Sequence, residues 1–186
     1  MHLSVPPARI ILLPIRKKAA PMGLDMYLSA KKHLSKINYK VLQENNELDY
    51  NSPEAIYPEF NDLMQLTQLT DVATDMYGAS VEVTCAYWRK ANQIHSWFVR
   101  EIQGGEDNCG EYYVSSDKLI ELLAICKHSL ENKDPALLLP QGGFFFGSTD
   151  IDEWYWNDIK STISQLERIL ALPEFDNLSF YYNSSW

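Results

Sequence analysis

The sequence predicts an α+β fold: a single domain whose largely antiparallel sheet has about four to five strands, with three to four helices. Three observations carry this. Leu24, Met26 and Leu28 alternate with Asp25, Tyr27 and Ser29, and Val81, Val83, Cys85 and Tyr87 alternate with Ser80, Glu82, Thr84 and Ala86. That is the two-residue period of strands. Residues 117–130 and 150–170 instead repeat their apolar side chains at helical spacing. A chain of 186 residues, 46% of them hydrophobic, is long enough to bury one core of this mixed kind.

The elements follow in order. Residues 33–53 are polar, with Asn45, Asn46, Asn51 and Pro53, and suit a loop or irregular insertion. Leu63, Leu66, Leu69 and Val72 then recur at helical spacing. After the strand at 80–87, a helix is expected from near Trp88 to the Gly104-Gly105 stop, with Tyr87, Ala91, Ile94, Phe98 and Ile102 as its apolar stripe. His95 falls inside that stripe and Asn92 at its edge beside Trp88, while Arg89, Gln93, Ser96 and Arg100 share the solvated face. Trp97 lies on that polar side too, and is expected to cover another segment or form a contact surface.

The next helix, Asp117 to Leu130, presents Leu119, Leu122, Leu123, Cys126 and Leu130 on one face, with Ser116 as its N-cap. Ala136–Leu139 and Phe144–Phe146 are expected as strands around Pro140 and Gly142-Gly143. Thr149 should cap a last helix, Asp150 to Leu170, with Ile151, Tyr155, Ile159, Ile163, Leu166 and Ile169 facing inward and Trp154 on the core side. A final strand runs from Leu178 to Tyr182. Residues 1–21 have a short apolar run broken by Pro14 and followed by Arg16, Lys17 and Lys18, the wrong order for a secretory signal. They are expected to be a flexible tail or an unused upstream start, leaving 22–186 as the globular domain.

Charge is uneven. Residues 1–40 carry eight basic groups against the single acid Asp25, whereas Val41 to Trp88 has no Lys or Arg and nine acids. With a net charge of −9, the body repels phosphate backbones, so direct nucleic-acid binding is not expected. Nothing in the sequence is long and apolar enough for a membrane span. Cys85, Cys109 and Cys126 are an odd number without CxxC spacing, which indicates neither a disulfide framework nor a zinc ribbon and fits a reducing cytoplasm.

Chemistry concentrates between Tyr87 and Glu111. His95 on an apolar face suits a general base or, more commonly, a hydrogen-bonded core histidine. Cys109 paired with His95 is the arrangement of a cysteine nucleophile, but Asp107 and Glu111 flank the sulfur with charge that disfavours a thiolate. His95, Asp107 and Glu111 form a weak candidate for a divalent ion, set against a glycine-bounded turn whose acids bond backbone amides; no metal or other cofactor is expected. Trp88, Arg89, Asn92, Trp97, Asp107 and Glu111 are the candidate ligand-binding residues. QGGFFFGSTD, Gln141 to Asp150, lacks a phosphate-loop lysine, and Asp150, Asp152 and Glu153 already occupy the positive end of the helix dipole. Nucleotide phosphate binding there is rejected.

MGLDMYL (22–28), YWRKANQIHSWFV (87–99), GEDNCGEYYVS (105–115), GGFFFGSTDIDEWYW (142–156) and YYNSSW (181–186) together resemble a family of small uncharacterised bacteriophage and prophage proteins. The resemblance spans nearly all of 22–186 and implies no activity. Such proteins have carried a phosphoglycerate kinase label, but this chain has neither that enzyme's size nor its glycine-rich nucleotide loops. The resemblance and the acidic, aromatic-rich composition together lead us to expect an accessory protein of the host cytoplasm that binds a host protein or small ligand. The alternative is a small hydrolase or transferase whose pocket gathers His95, Asn92, Arg89, Asp107, Cys109 and Glu111.

Overall fold

In β1 (Asp25–Ser35), Met26, Leu28 and Ala30 are buried on one face, and every other strand is registered on that pattern. The computed structural model describes residues 23–45, 47–50, 52–71 and 76–186, so the expectations for residues 1–21 and for Val72 lie outside it. β1 pairs antiparallel with β2 (Gly78–Arg89) on one side and β4 (Ser179–Ser185) on the other. β3 (Tyr112–Val114) pairs antiparallel with β4, completing the order β2-β1-β4-β3. The described residues thus form one four-stranded antiparallel sheet with five helices, an α+β fold.

α3 (Asn92–Glu101), α4 (Ser116–Asn132) and α5 (Glu153–Leu170) supply the apolar side chains that meet the buried face of the sheet. Ile94, Phe98, Leu119, Leu122, Ile159 and Leu166 pack with Met26, Leu28, Trp88, Phe180 and Tyr182 in one cluster. α1 (Tyr39–Glu44) and α2 (Pro58–Thr67) stand at the far end of β1, where Ile37 bridges to Ile56 and Phe60 and Met64 are buried. The leucine stripe expected there is corrected. Leu66 and Leu69 are exposed, because Pro58 starts the helix in a phase that turns Phe60 and Met64 inward.

Other local expectations change for identifiable reasons. The register shifts between Leu28 and Ser29, which pair with Ala86 and Thr84, leaving Cys85 as the extra residue of a bulge on β2. A bulge reverses which alternate residues face inward. Ala86 and Trp88 therefore enter the core and Tyr87 is turned out. Trp88 belongs to the strand, and α3 starts only after Lys90, whose φ of 59° makes the corner. Gly104 and Gly105, at φ 65° and 88°, end α3 as expected.

Ser115, one residue earlier than expected, caps α4 by accepting a bond from the Lys118 amide at 3.4 Å. Asp152, not Thr149, caps α5: its Oδ1 accepts from the amides of Trp154 and Tyr155 at 2.9 and 3.1 Å. The later start leaves Ile151 and Trp154 outside the buried stripe, and both are exposed. Residues 136–139 and 144–146 form turns rather than strands; Phe146 N–H bonds Gly143 C=O at 3.1 Å. No described helix is long and apolar enough to cross a membrane.

Candidate functional site

α3 is buried nearly all round, and this decides the fate of the chemistry on it. His95 is fully enclosed. Its Nδ1 lies 2.7 Å from the Tyr182 hydroxyl and its Nε2 2.9 Å from Asp107 Oδ2. Burial, with the Asp107 charge added, pushes the Tyr182 phenol well above its ordinary value. Tyr182 therefore keeps its proton and shares a hydrogen bond with Nδ1, while the Asp107 carboxylate, which can only accept, takes its bond from Nε2–H. Asp107 Oδ1 accepts in turn from Trp186 Nε1 at 3.1 Å. The ring of Phe98 stacks on Tyr182 at 3.9 Å, and Phe146 meets His95 edge-on. The chain Trp186–Asp107–His95–Tyr182 fastens the loop after α3 and the C-terminal strand to the core.

The remaining members of the predicted set make no bond to this chain of groups, although Cys109 lies near Tyr182. Glu111 bonds Lys31 at 2.7 Å, so it is separated from the His95–Asp107 pair that it would need to join as a metal ligand. Among the described residues no cluster of three His, Cys, Asp or Glu side chains is placed to hold a metal ion. Cys109 is exposed on a turn, at φ 57°. Trp97, which helical spacing assigns to a solvated face, is fully buried against Phe98, and Gln93 on the same face is buried as well. Trp88 Nε1 donates to Thr162 Oγ1 at 2.9 Å, a tie between β2 and α5.

Thiol chemistry separates the cysteines. Burial pushes the thiol of Cys85 up to about 11 and that of Cys126 up to about 12. Cys85 also donates to Leu28 C=O at 3.2 Å. An aromatic disulfide reagent at pH 8 is therefore expected to modify one thiol per folded chain rapidly, and Cys109→Ser should remove that phase. Fast reaction of a second thiol would contradict this burial.

Arg89 and Asn92 do share a cavity, a cleft of about 380 Å³ between the β2–α3 corner and the start of α5. Lys90, Gln93, Gly147, Ser148, Asp150, Trp154 and Asp158 contribute to its wall. Asn92 Nδ2 donates to Phe146 C=O and Ser148 C=O, at 3.1 and 2.8 Å, and so anchors the 143–148 turn. Its Oδ1 is buried with no hydrogen-bond partner. Asp158 is half-buried, and desolvation raises its carboxyl above the usual range despite a bond from Gln93 Nε2 at 3.3 Å. A carboxyl raised on folding holds its proton more tightly in the native state, so stability falls as pH rises through the window from the ordinary carboxyl value to the raised one. Asp158→Asn is expected to raise Tm at pH 7 and to lose that advantage as pH falls below this window. Thermal melts across pH 3–7 check it, and a lower Tm for the variant at pH 7 would refute it.

On the sheet face opposite the helices stand Tyr27, Tyr87, Tyr113 and Tyr181, in the register Tyr27 to Tyr87 and Tyr113 to Tyr181. Tyr113 and Tyr87 are 60% and 44% exposed, the other two partly so. Lys31 Nζ sits 4.3 Å over the Tyr181 ring, held by Glu111 and Glu82. The hydroxyl of Tyr87 bonds Asp25, which also meets Arg89 at 3.4 Å. Sequence reasoning misses this surface because simple alternation puts Tyr87 on the inner face; the alternation of Tyr27 with Met26 and Leu28 is the signal that points outward.

No family model, curated protein or solved structure matches the chain.

Proposed function

We propose that this is a phage- or prophage-type accessory protein of the host cytoplasm that acts by binding a host protein, with the tyrosine-bearing sheet face as its contact surface. The observation that carries this is the placement of four tyrosines on one face, two of them open to solvent. Tyrosine supplies large contact area at low conformational cost and is enriched where proteins recognise one another. The base-free, acidic stretch from Val41 to Trp88, whose end forms β2 of this sheet, favours a partner with a basic surface. The enzyme alternative is less well supported. Its expected pocket does not assemble: His95 and Asp107 are tied to Tyr182 and Trp186, Glu111 is paired with Lys31, Cys109 is exposed on a turn near Tyr182, and Arg89 and Asn92 line a different cleft.

The test is capture from host lysate on immobilised protein, with bound species identified by mass spectrometry. A basic host protein should be retained at low salt, released at high salt, and lost when Tyr113 and Tyr181 are both changed to serine. Retention unaffected by that double change would overturn the assignment of the face. Turnover of a substrate that is abolished by Cys109→Ser would revive the enzyme.

A further inference from the structure

We propose that the cleft between the β2–α3 corner and α5 binds an organic cation, a primary ammonium or guanidinium group, independently of the tyrosine face. Its lining calls for hydrogen-bond donors. Asn92 is 1% exposed and presents an Oδ1 with no partner, its amide nitrogen being fully used on two carbonyls. Asp158 has only the long bond from Gln93, and Asp152 adds a second negative charge near it. No basic side chain among the described residues lies within ion-pair distance of Asp150, Asp152 or Asp158. Trp154, 78% exposed at the rim, offers an indole face, the ring on which cations bind best.

An anion fits the same cleft poorly. The amides at the start of α5 that would receive it are occupied by Asp152. Arg89 is turned toward Asp25, and Lys90 runs along Gly147 to bring its Cε beside Gly23, with its ammonium beyond ion-pair distance of Asp150, Asp152 and Asp158. A cation placed between Asp158 and Trp154 would acquire a charge partner, donate to unsatisfied oxygen and shield Asp158 from its unfavourable burial. The chemistry is common to a free amine or guanidine and to a Lys or Arg side chain of another protein.

The experiment uses the full chain, with calorimetric titration and thermal melts against agmatine, putrescine, N-acetyl-lysine methylamide, N-acetyl-arginine methylamide, glutarate and magnesium ion. At least one of the four organic cations should bind and raise Tm, and glutarate should not. Preference for the capped amino acids assigns the cleft to a protein side chain, and preference for agmatine or putrescine to a free metabolite-like cation. Asp158→Asn and Trp154→Ala should each weaken binding about tenfold or more without lowering the Tm of the unliganded protein, since one removes a poorly solvated charge and the other an exposed ring. Binding by none of the cations, binding of glutarate or magnesium alone, or full affinity in Asp158→Asn overturns the proposal. Because neither variant touches Tyr113 or Tyr181, loss here with host-protein capture intact separates this failure from that of the contact face.

Discussion

Trp97→Ala should lower the unfolding free energy by about 3–5 kcal/mol, the range for removing a fully buried large aromatic side chain. For a chain of this size that corresponds to a fall in Tm of roughly 10 °C. Trp97 is fully enclosed, packs edge-on against Phe98 with ring centroids 5.2 Å apart, and has Lys118 Nζ 5.9 Å from its ring. Its indole N–H has no partner, so Trp97→Phe loses less: volume is the stabilising quantity at this position, not a hydrogen bond. Denaturant titration of the two variants checks the order. An alanine variant as stable as the parent would return Trp97 to the surface role that helical spacing alone gives it.

His95→Ala is expected to cost roughly 2–4 kcal/mol, from the cavity together with the desolvated groups it strands. The Tyr182 hydroxyl and Asp107 Oδ2 would each lose the partner at 2.7 and 2.9 Å. Tyr182→Phe is the milder probe, since it keeps the ring stacked on Phe98 and removes only the hydroxyl, at a cost of about 1–3 kcal/mol. Because the groups form one chain, Tyr182→Phe and Asp107→Asn should not add. A double-mutant cycle should give a coupling of about 0.5–3 kcal/mol, and strict additivity would mean that the histidine does not link them.

The α+β class and the antiparallel sheet were legible because β1 and the helices α4 and α5 obey their periods: Met26 and Leu28 alternate inward, and Leu119, Leu122 and Cys126 share one buried face. What escaped depends on contacts between segments far apart in sequence. The Cys85 bulge exists only through pairing with β1, and its reversal of Tyr87 and Trp88 cannot be derived from the strand's own alternation. α3 misled because amphipathic spacing assumes one wet face. Here Gln93 is enclosed near α5, with Nε2 3.3 Å from Asp158 Oδ2, while Trp97 is enclosed against Phe98. Of the candidate site, His95 and Asp107 were named and are in contact, but Tyr182, 87 residues further along, could be joined to them only by the fold. The cleft was half visible through Arg89 and Asn92; Trp154 and Asp158 were hidden by where α5 starts.

Gln165 projects from α5 to accept the Tyr87 amide at 2.9 Å, where the outer border of β2 would otherwise offer that donor to a foreign strand. The opposite border, β3, is only three residues long. Sheets usually invite company at such margins, and chains with open margins zip together or are lengthened by an invading peptide. Here one margin is stoppered beside the bulge and the other is too short to template much. At the Tyr87 end of β2, another molecule therefore gains little by mimicking a fifth strand, because the bulge and the glutamine together interrupt the row of donors it would need.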